Sequence, residues 1–149
     1  MDAFIAYDKD YLDGEGAFLI VVDGDAIRWL SYNFEKLLAQ DSLAATPIFV
    51  IGNGDPIESD GRCLVSVMPD RERKGTRICQ VSETQYNWTV SEGSVHRYVG
   101  LLQGLDGGTG QAGHQYLDSD DPASPTVIVS RGEYDVDWVR TRILKNSAT

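Results

Sequence analysis

Alternation of apolar and polar residues with a period of two is the feature of this 149-residue chain that most constrains its fold. It is clearest in two consecutive segments, GTRICQVSE at 75–83 and TQYNWTVS at 84–91. Because successive side chains of a β-strand point to opposite faces of a sheet, this alternation predicts a pair of antiparallel strands that is buried on one face. We therefore expect this half-buried pair in the fold.

Apolar segments elsewhere predict further strands, most of them joined by short turns. We expect these strands in AFIAY (3–7), AFLIVV (17–22), TPIFVIGNG (46–54), GRCLVSVMPD (61–70), QAGHQYLD (111–118) and TVIVSRGEY (126–134). The segments between them are interpreted as turns or loops, namely DKDYLDGEG (8–16), DRERKG (70–75) and DSDDPASP (118–125).

Helical spacing of apolar residues predicts two or three helices. One spans SEGSVHRYVGLLQGLDGG (91–108), with Ser91 or Ser94 as its cap, and another closes the chain in YDVDWVRTRILKN (134–146). Residues 25–31 leave two alternatives open. The pair Asp23-Gly24 favours a two-residue hairpin turn followed by a returning strand and then a helix from residue 32. Alternatively, the apolar spacing from residue 27 onward predicts one continuous helix that is capped by Asp25.

This order of elements predicts an α+β fold with a mainly antiparallel sheet and two or three helices. The length suits one domain, and the sequence shows neither an internal repeat nor a Pro/Ser-rich linker that would divide it. We therefore expect residues 1–149 to form a single domain.

The 13 basic and 23 acidic residues give the chain a net charge of −10 at pH 7. A surplus of carboxylates opposes binding to nucleic acid and to an anionic membrane surface, whereas it suits a basic protein partner. The longest apolar run is AFLIVV, which falls far short of the roughly 20 residues that span a bilayer. The acidic start of the chain also lacks the features of a secretory signal, so we expect a cytoplasmic protein.

The residues that most often carry chemistry are interpreted as structural in this sequence. Cys63 and Cys79 lie in apolar alternations and are expected to be buried small hydrophobic residues. His96 and His114 are assigned to surface or packing roles, because their spacing identifies no reactive partner. The sequence therefore predicts no catalytic residue, no metal ligand and no cofactor.

Two motif matches fail on their context. GTGQAG (108–113) fits the dinucleotide pattern G-x-G-x-x-G, which requires a strand before it and a helix after it. In this chain a predicted helix precedes the motif and a predicted strand follows it, so a connecting loop is expected. A calcium loop counted from Asp8 places Leu12 and Leu19 where oxygen ligands are required.

Two acidic segments are the candidate binding surface for a protein partner, one in the N-terminal loop and one in the turn that contains Pro122. A tyrosine accompanies each of them, and aromatic residues beside acids make good interface anchors. The candidate partner-binding residues are Asp8, Asp10, Tyr11, Asp13, Glu15, Tyr116, Asp118, Asp120 and Asp121.

The chain resembles the small immunity proteins of bacterial contact-dependent inhibition and related polymorphic toxin systems. Its size, its acidity and the succession of GHQYLD, an acidic turn and PTVIVSRGEYD carry the resemblance. The resemblance implies a protein that is not an enzyme and that binds and neutralises a cognate toxin domain, for example a nuclease with a basic cleft. The alternatives are a small hydrolase or metal-dependent enzyme that uses an acidic cluster, or an accessory subunit of a larger assembly. The oligomeric state is left open.

Overall fold

Ten strands and two long helices make up the part of the chain that the structure describes. This computed structural model describes residues 3–12, 15–39, 49–54, 56–59, 61–106, 113–133, 137–139 and 141. The elements in chain order are β1 (Phe4–Leu12), β2 (Glu15–Val22), α1 (Gly24–Ala39), β3 (Phe49–Ile51), β4 (Asn53–Gly54), β5 (Ile57–Glu58), β6 (Leu64–Pro69), β7 (Arg77–Gln80), β8 (Gln85–Val90), α2 (Glu92–Asp106), β9 (Gly113–Tyr116) and β10 (Thr126–Arg131).

The strands form two mixed sheets. The first sheet has the order β4-β5-β1-β2-β10-β9, and the second has the order β3-β6-β8-β7. The pairs β2–β10, β1–β5 and β6–β8 are parallel, and the other described pairs are antiparallel. The predicted α+β class is confirmed. The half-buried pair predicted at 75–91 is also confirmed, as β7 and β8 with Ile78 opposite Trp88.

Strand β2 is buried on both faces, which explains its continuous apolar sequence. Phe18 and Ile20 face the main core, which both sheets and both helices share. Ala17 and Leu19 point to a smaller cluster on the outer face of the first sheet. A strand that is covered on both faces needs apolar residues at every position rather than at alternate ones. Val139, from a helical segment near the end of the chain, contributes to the outer cluster.

An aromatic cluster holds the two helices against the second sheet. Phe34 of α1 meets Trp88 of β8 with a ring-centroid distance of 5.4 Å and Tyr98 of α2 with one of 5.5 Å. Both contacts are edge-to-face, the geometry that aromatic quadrupoles favour. Because all three rings are almost completely buried, this cluster fixes the position of the helices relative to the sheet.

Of the two alternatives left open after Asp23, the hairpin is wrong and the continuous helix is found as α1. Strand β2 pairs with β1 along one edge and with β10 along the other, so a strand returning from Asp23 has no free edge to join. The helix buries Ile27 and Leu30 in the main core. Its cap is Asp23 rather than Asp25, since the Ala26 N–H donates to Asp23 Oδ1 over 2.8 Å.

Other predictions on local structure divide between confirmed and wrong. The cap of α2 at Ser91 is confirmed by a 3.2 Å bond from the Ser94 N–H to Ser91 Oγ. The loop predicted at 8–16 is mostly strand, because β1 continues to Leu12 and β2 begins at Glu15. Cys63 is buried as expected, but Cys79 is exposed on β7. The predicted C-terminal helix is seen at 137–139 and 141, and the rest of it lies outside the described residues.

The identity of the cap of α1 is testable by alanine substitution. We expect Asp23→Ala to lower the free energy of unfolding by about 1 kcal/mol, because it leaves a helix N–H without its acceptor. Asp25→Ala is the matched control, since the Asp25 carboxylate bonds the exposed Arg28 side chain and its removal should change stability little. Chemical denaturation of both variants measures the difference, and equal losses would contradict the assignment.

Candidate functional site

The two acidic segments lie at the same end of the first sheet. Because β2 and β10 are parallel, with Ala17 opposite Thr126, their starts lie side by side. The β1–β2 hairpin extends beyond this level to Leu12 and Glu15, and the connection from β9 to β10 also lies beyond it. A cleft lined by Tyr7, Gly16 and 122–126 separates the two segments. We call the surface formed by residues 9–12, 15–16 and 116–125 the acidic end.

The N-terminal segment contributes fewer surface residues than the sequence predicts. Asp8 is only 6% exposed within β1, so it does not belong to an accessible acidic surface. Asp10, Tyr11 and Glu15 lie in the strands of the hairpin, and the structure describes their backbone positions. Asp13 lies outside the described residues.

Tyr116 and Asp118 are the clearest exposed members of the acidic end. The Tyr116 side chain is 45% exposed and lies edge-to-face against His114. Asp118 is exposed, and its backbone carbonyl accepts hydrogen bonds from the Tyr98 hydroxyl and, over 3.1 Å, from the Arg97 guanidinium. These bonds anchor the backbone of Asp118 to α2.

Asp120 and Asp121 have structural roles within the segment 118–125. Asp120 Oδ2 accepts the Thr76 N–H over 2.7 Å, and the Asp120 N–H donates to the Thr76 carbonyl over 2.8 Å. Asp121 Oδ1 accepts the Ala123 N–H over 2.9 Å and so shapes the turn. The segment is therefore not simply an exposed turn, because it attaches the first sheet to the edge of the second.

This attachment also supplies hydrogen-bond acceptors to an edge strand. Strand β7 is at the edge of the second sheet, and its outward N–H groups need acceptors. Ser124 Oγ accepts the Ile78 N–H over 3.0 Å, beside the bonds between Asp120 and Thr76. The Thr76 hydroxyl, which is buried, also accepts the Ser91 N–H over 2.9 Å and bonds Ser94 Oγ over 2.6 Å. We call this set of contacts the edge clamp.

A basic loop at 70–77 borders the acidic end. The Asp70 carboxylate, 3% exposed, accepts the N–H groups of Lys74 (3.2 Å) and Gly75 (2.8 Å) and pairs with Arg77 Nη1 (3.3 Å). The predicted charged turn is thus confirmed. Because Thr76 belongs to the edge clamp, this loop and the acidic segment are held next to each other. Its exposed residues are Arg71, Glu72, Arg73 and Lys74.

The opposite end of the first sheet carries two arginines that face carboxylates of the protein itself. A Cβ placed on Gly24, at the start of α1, would lie 3.3 Å from Arg28 Nη1 and 3.6 Å from Arg131 Nη2. The Asp106 carboxylate lies 3.2 Å from Arg28 and 3.6 Å from Arg131, and Arg28 also bonds Asp25 over 2.6 Å. Both arginines are therefore paired with carboxylates of the protein itself.

The order of elements around GTGQAG agrees with the sequence-based interpretation. Helix α2 ends at Asp106, and strand β9 begins at Gly113, so a helix precedes the glycines and a strand follows them. Residues 107–112 lie outside the described residues. The strand-then-helix order that a dinucleotide site requires is reversed here.

His114, Ser130 and Glu133 come together in a way that the sequence did not indicate. His114 Nδ1 lies 2.8 Å from Glu133 Oε1, and the Ser130 hydroxyl donates to Glu133 Oε2 over 3.3 Å. Both side chains thus bond the carboxylate, whereas a hydrolytic triad needs the serine hydroxyl bonded to the histidine. The cross-strand pairing of His114 with Ser130 accounts for the meeting, and that pairing has no local sequence signal.

Two further observations concern ligands and membranes. Within the described ranges, no group of three or more His, Cys, Asp or Glu side chains is arranged to hold a metal ion. Of the helices in those ranges, none is long and apolar enough to cross a membrane.

Comparison with known protein families, with curated proteins and with solved structures finds no significant match to this chain.

The edge clamp predicts that adjacent acids differ in their importance for stability. We expect Asp120→Ala to lower the free energy of unfolding by about 1–2 kcal/mol, because the Thr76 N–H loses a charged acceptor. Asp118→Ala removes the same charge from the same segment without touching the clamp, and it should change stability little. Thermal and urea unfolding compare the two. A loss in Asp118→Ala as large as in Asp120→Ala would show that net charge, not the clamp, is responsible.

Alkaline pH should destabilise the fold through Tyr86, whose ring lies against that of Tyr7. Burial, with smaller contributions from Cys63 and Tyr7, raises the pKa of Tyr86 from 10.0 to about 12. Since the unfolded chain loses this proton first, stability is full below pH 10 and falls as the pH rises toward 12. Burial also raises the pKa of Tyr98, so Tyr86→Phe should remove part of this dependence. Unfolding free energies at pH 8–11.5 test this, with Tyr32→Phe on α1 as the exposed control.

Proposed function

We propose that this chain is an immunity-type protein that binds and neutralises a cognate basic toxin domain through the acidic end. The observation that carries the proposal is the convergence of two acidic segments, more than 100 residues apart in sequence, at one end of the first sheet. Tyr116 and Asp118 are exposed there. The resemblance in size, acidity and C-terminal sequence supports the toxin domain as the partner.

An acidic end can neutralise a basic toxin domain by occupying its cleft. If the toxin is a nuclease, carboxylates at this surface take the place of the substrate phosphates. With a net charge of −10, the protein attracts a basic partner over long range and speeds its association. Short-range contacts then come from exposed side chains, for which Tyr116 is the described aromatic anchor.

The set of contact residues that we propose is smaller than the one the sequence suggested. Asp8 is left out because it is buried, and Asp120 and Asp121 are left out because their carboxylates bond the protein's own backbone. The proposed contact residues are Asp10, Tyr11, Asp13, Glu15, Tyr116 and Asp118.

The basic loop beside the acidic end favours one orientation of the partner. A toxin surface with a basic cleft and a neighbouring acidic patch fits both, whereas a uniformly basic surface meets the cations of this loop. Like charges placed opposite each other at an interface cost several kcal/mol, typically, and so exclude wrong partners. The loop therefore contributes to specificity rather than to overall attraction.

Charge reversal tests the proposed surface. The toxin is the toxic domain encoded beside the gene for this chain, and binding is measured at low and high salt. We expect Asp10→Lys combined with Asp118→Lys to weaken binding by about 10-fold or more at low salt and to reduce its salt dependence, because steering and contact are both lost.

The matched control is Glu35→Lys combined with Glu83→Lys, which makes the same change in net charge at exposed positions on α1 and in the β7–β8 turn. It should retain binding and should still protect cells that express the toxin. Equal affinity of both double variants and the wild type would refute the acidic end as the binding surface. A neighbouring gene without toxicity would refute the immunity function itself.

A further inference from the structure

The Glu133 carboxylate lies beside the two strands at one edge of the first sheet. Strand β10 ends at Arg131, and Gly132 follows with a φ of 73°, a left-handed value that residues with side chains rarely adopt. The chain turns there and brings Glu133 back to the strands. One of its carboxylate oxygens accepts the Ser130 hydroxyl, and the other lies 2.8 Å from Nδ1 of His114.

The pairing of β9 with β10 explains why these side chains meet. The Leu117 N–H bonds the carbonyl opposite it on β10 over 2.9 Å, so the pairs that alternate with this one are of the non-hydrogen-bonded type. His114 stands in such a pair with Ser130, and Tyr116 stands in the next one, opposite the buried Ile128. Side chains approach most closely in pairs of this type. His114 and Tyr116 therefore lie side by side on the outer face of the sheet.

The Glu133 carboxylate fixes the orientation of the His114 ring. An ionised carboxylate only accepts hydrogen bonds, so Nδ1 of His114 carries the proton that they share. The hydroxyl of Ser130, which is fully buried, bonds the same carboxylate over 3.3 Å and holds it in place. The imidazole thus has a defined position although its side chain is 44% exposed.

Tyr116 lies against this fixed ring. The two ring centroids are 5.5 Å apart and the ring planes meet at 88°, which is the edge-to-face geometry that aromatic rings favour. An exposed tyrosine without such a neighbour samples several rotamers, whereas the contact with His114 favours one of them. A side chain that is already ordered loses less entropy when a partner binds it.

We propose that Glu133 and His114 are positioning residues for Tyr116, whose ring they hold ready for the protein partner. They act through Tyr116 rather than by touching the partner themselves. A role in stability alone does not account for the arrangement, since ion pairs at the surface contribute little to folding. The proposal rests on the proposed function, because Tyr116 is an anchor only if the acidic end binds the partner.

The orientation of Tyr116 can be measured by NMR without the toxin. In the wild type we expect side-chain couplings that report one χ1 rotamer, and a nuclear Overhauser effect between the rings of His114 and Tyr116. Glu133→Ala should average the rotamers and weaken this effect, whereas Glu133→Gln should retain both, because the amide oxygen still accepts the Nδ1 proton. The control is Glu83→Ala, which removes the same charge at an exposed position in the β7–β8 turn. Tyr116 couplings in Glu133→Ala that equal those of the wild type would overturn the proposal.

A double-mutant cycle on toxin affinity tests whether the two residues act through Tyr116. We expect Glu133→Ala and His114→Ala each to weaken binding by about 2-fold to 10-fold, which is the range for ordering one side chain at an interface. Glu133→Gln should restore most of the affinity. In a chain that already carries Tyr116→Ala, neither substitution should cause a further loss. Losses that add in full to that of Tyr116→Ala would contradict positioning.

The outcomes for the positioning residues and for the proposed function can be told apart. If Tyr116→Ala binds the toxin like the wild type while charge reversal of the acidic end weakens binding, the positioning proposal is wrong and the proposed function stands. If charge reversal also has no effect, both are wrong. Unfolding curves establish that each variant is folded. Should Glu133→Ala fail to fold, His114→Ala decides the question by the same couplings and the same cycle.

Discussion

The parallel pairing of β2 with β10 is the constraint on which the rest of the structure depends. It occupies the second edge of β2, so the chain leaving β2 cannot return as its neighbour and forms α1 instead. It also places the starts of both strands at one end of the sheet. Strand β9 is antiparallel to β10, so β9 ends at the level where β10 begins. The connection 118–125 therefore lies at that same end. The acidic end is thus a consequence of topology. Two acidic segments remote in sequence meet because the two strands that follow them lie side by side.

The connection between β9 and β10 shows that a cluster of acids is not one functional unit. Asp118 and Asp120 are two residues apart, yet one is directed to solvent and the other accepts a backbone N–H of the second sheet. An edge strand requires such acceptors, and carboxylates that are already near the edge can supply them. The same segment therefore stabilises the fold with part of its charge and presents the remainder. This division also fixes the basic loop beside the acidic end, because Thr76 is bonded from both sides.

Local patterns in the sequence predicted the elements whose causes are local. The alternation around Ile78 and Trp88 predicted β7 and β8, and Ser91 was one of the two serines expected to cap the helix that follows. For residues 25–30 the turn preference of Asp23-Gly24 favours a strand, whereas the spacing of the following apolar residues favours a helix. These two local signals do not decide between the structures, and the strand was wrong. The deciding factor was the occupation of the edge of β2 by β10, about 100 residues away. Two other features also depend on which strands become neighbours. They are the bond between Asp120 and Thr76 and the burial of Asp8.

The hydrogen bonds that hold the segment 118–125 in place affect what its charge can accomplish. Net charge alone raises the rate of encounter with any basic protein and does not distinguish among them. Distinction requires that charges of both signs keep fixed positions, and here the edge clamp and the Asp70 carboxylate hold the acidic segment and the basic loop in one arrangement. The proposed partner would therefore have to match the positions of these charges rather than their net value. Tyr7 adds a fixed aromatic wall to that pattern, because its ring is anchored in the core through Phe18 and Tyr86 while its hydroxyl lies at the surface cleft. An acidic surface built in this way can be selective despite a charge that attracts many proteins.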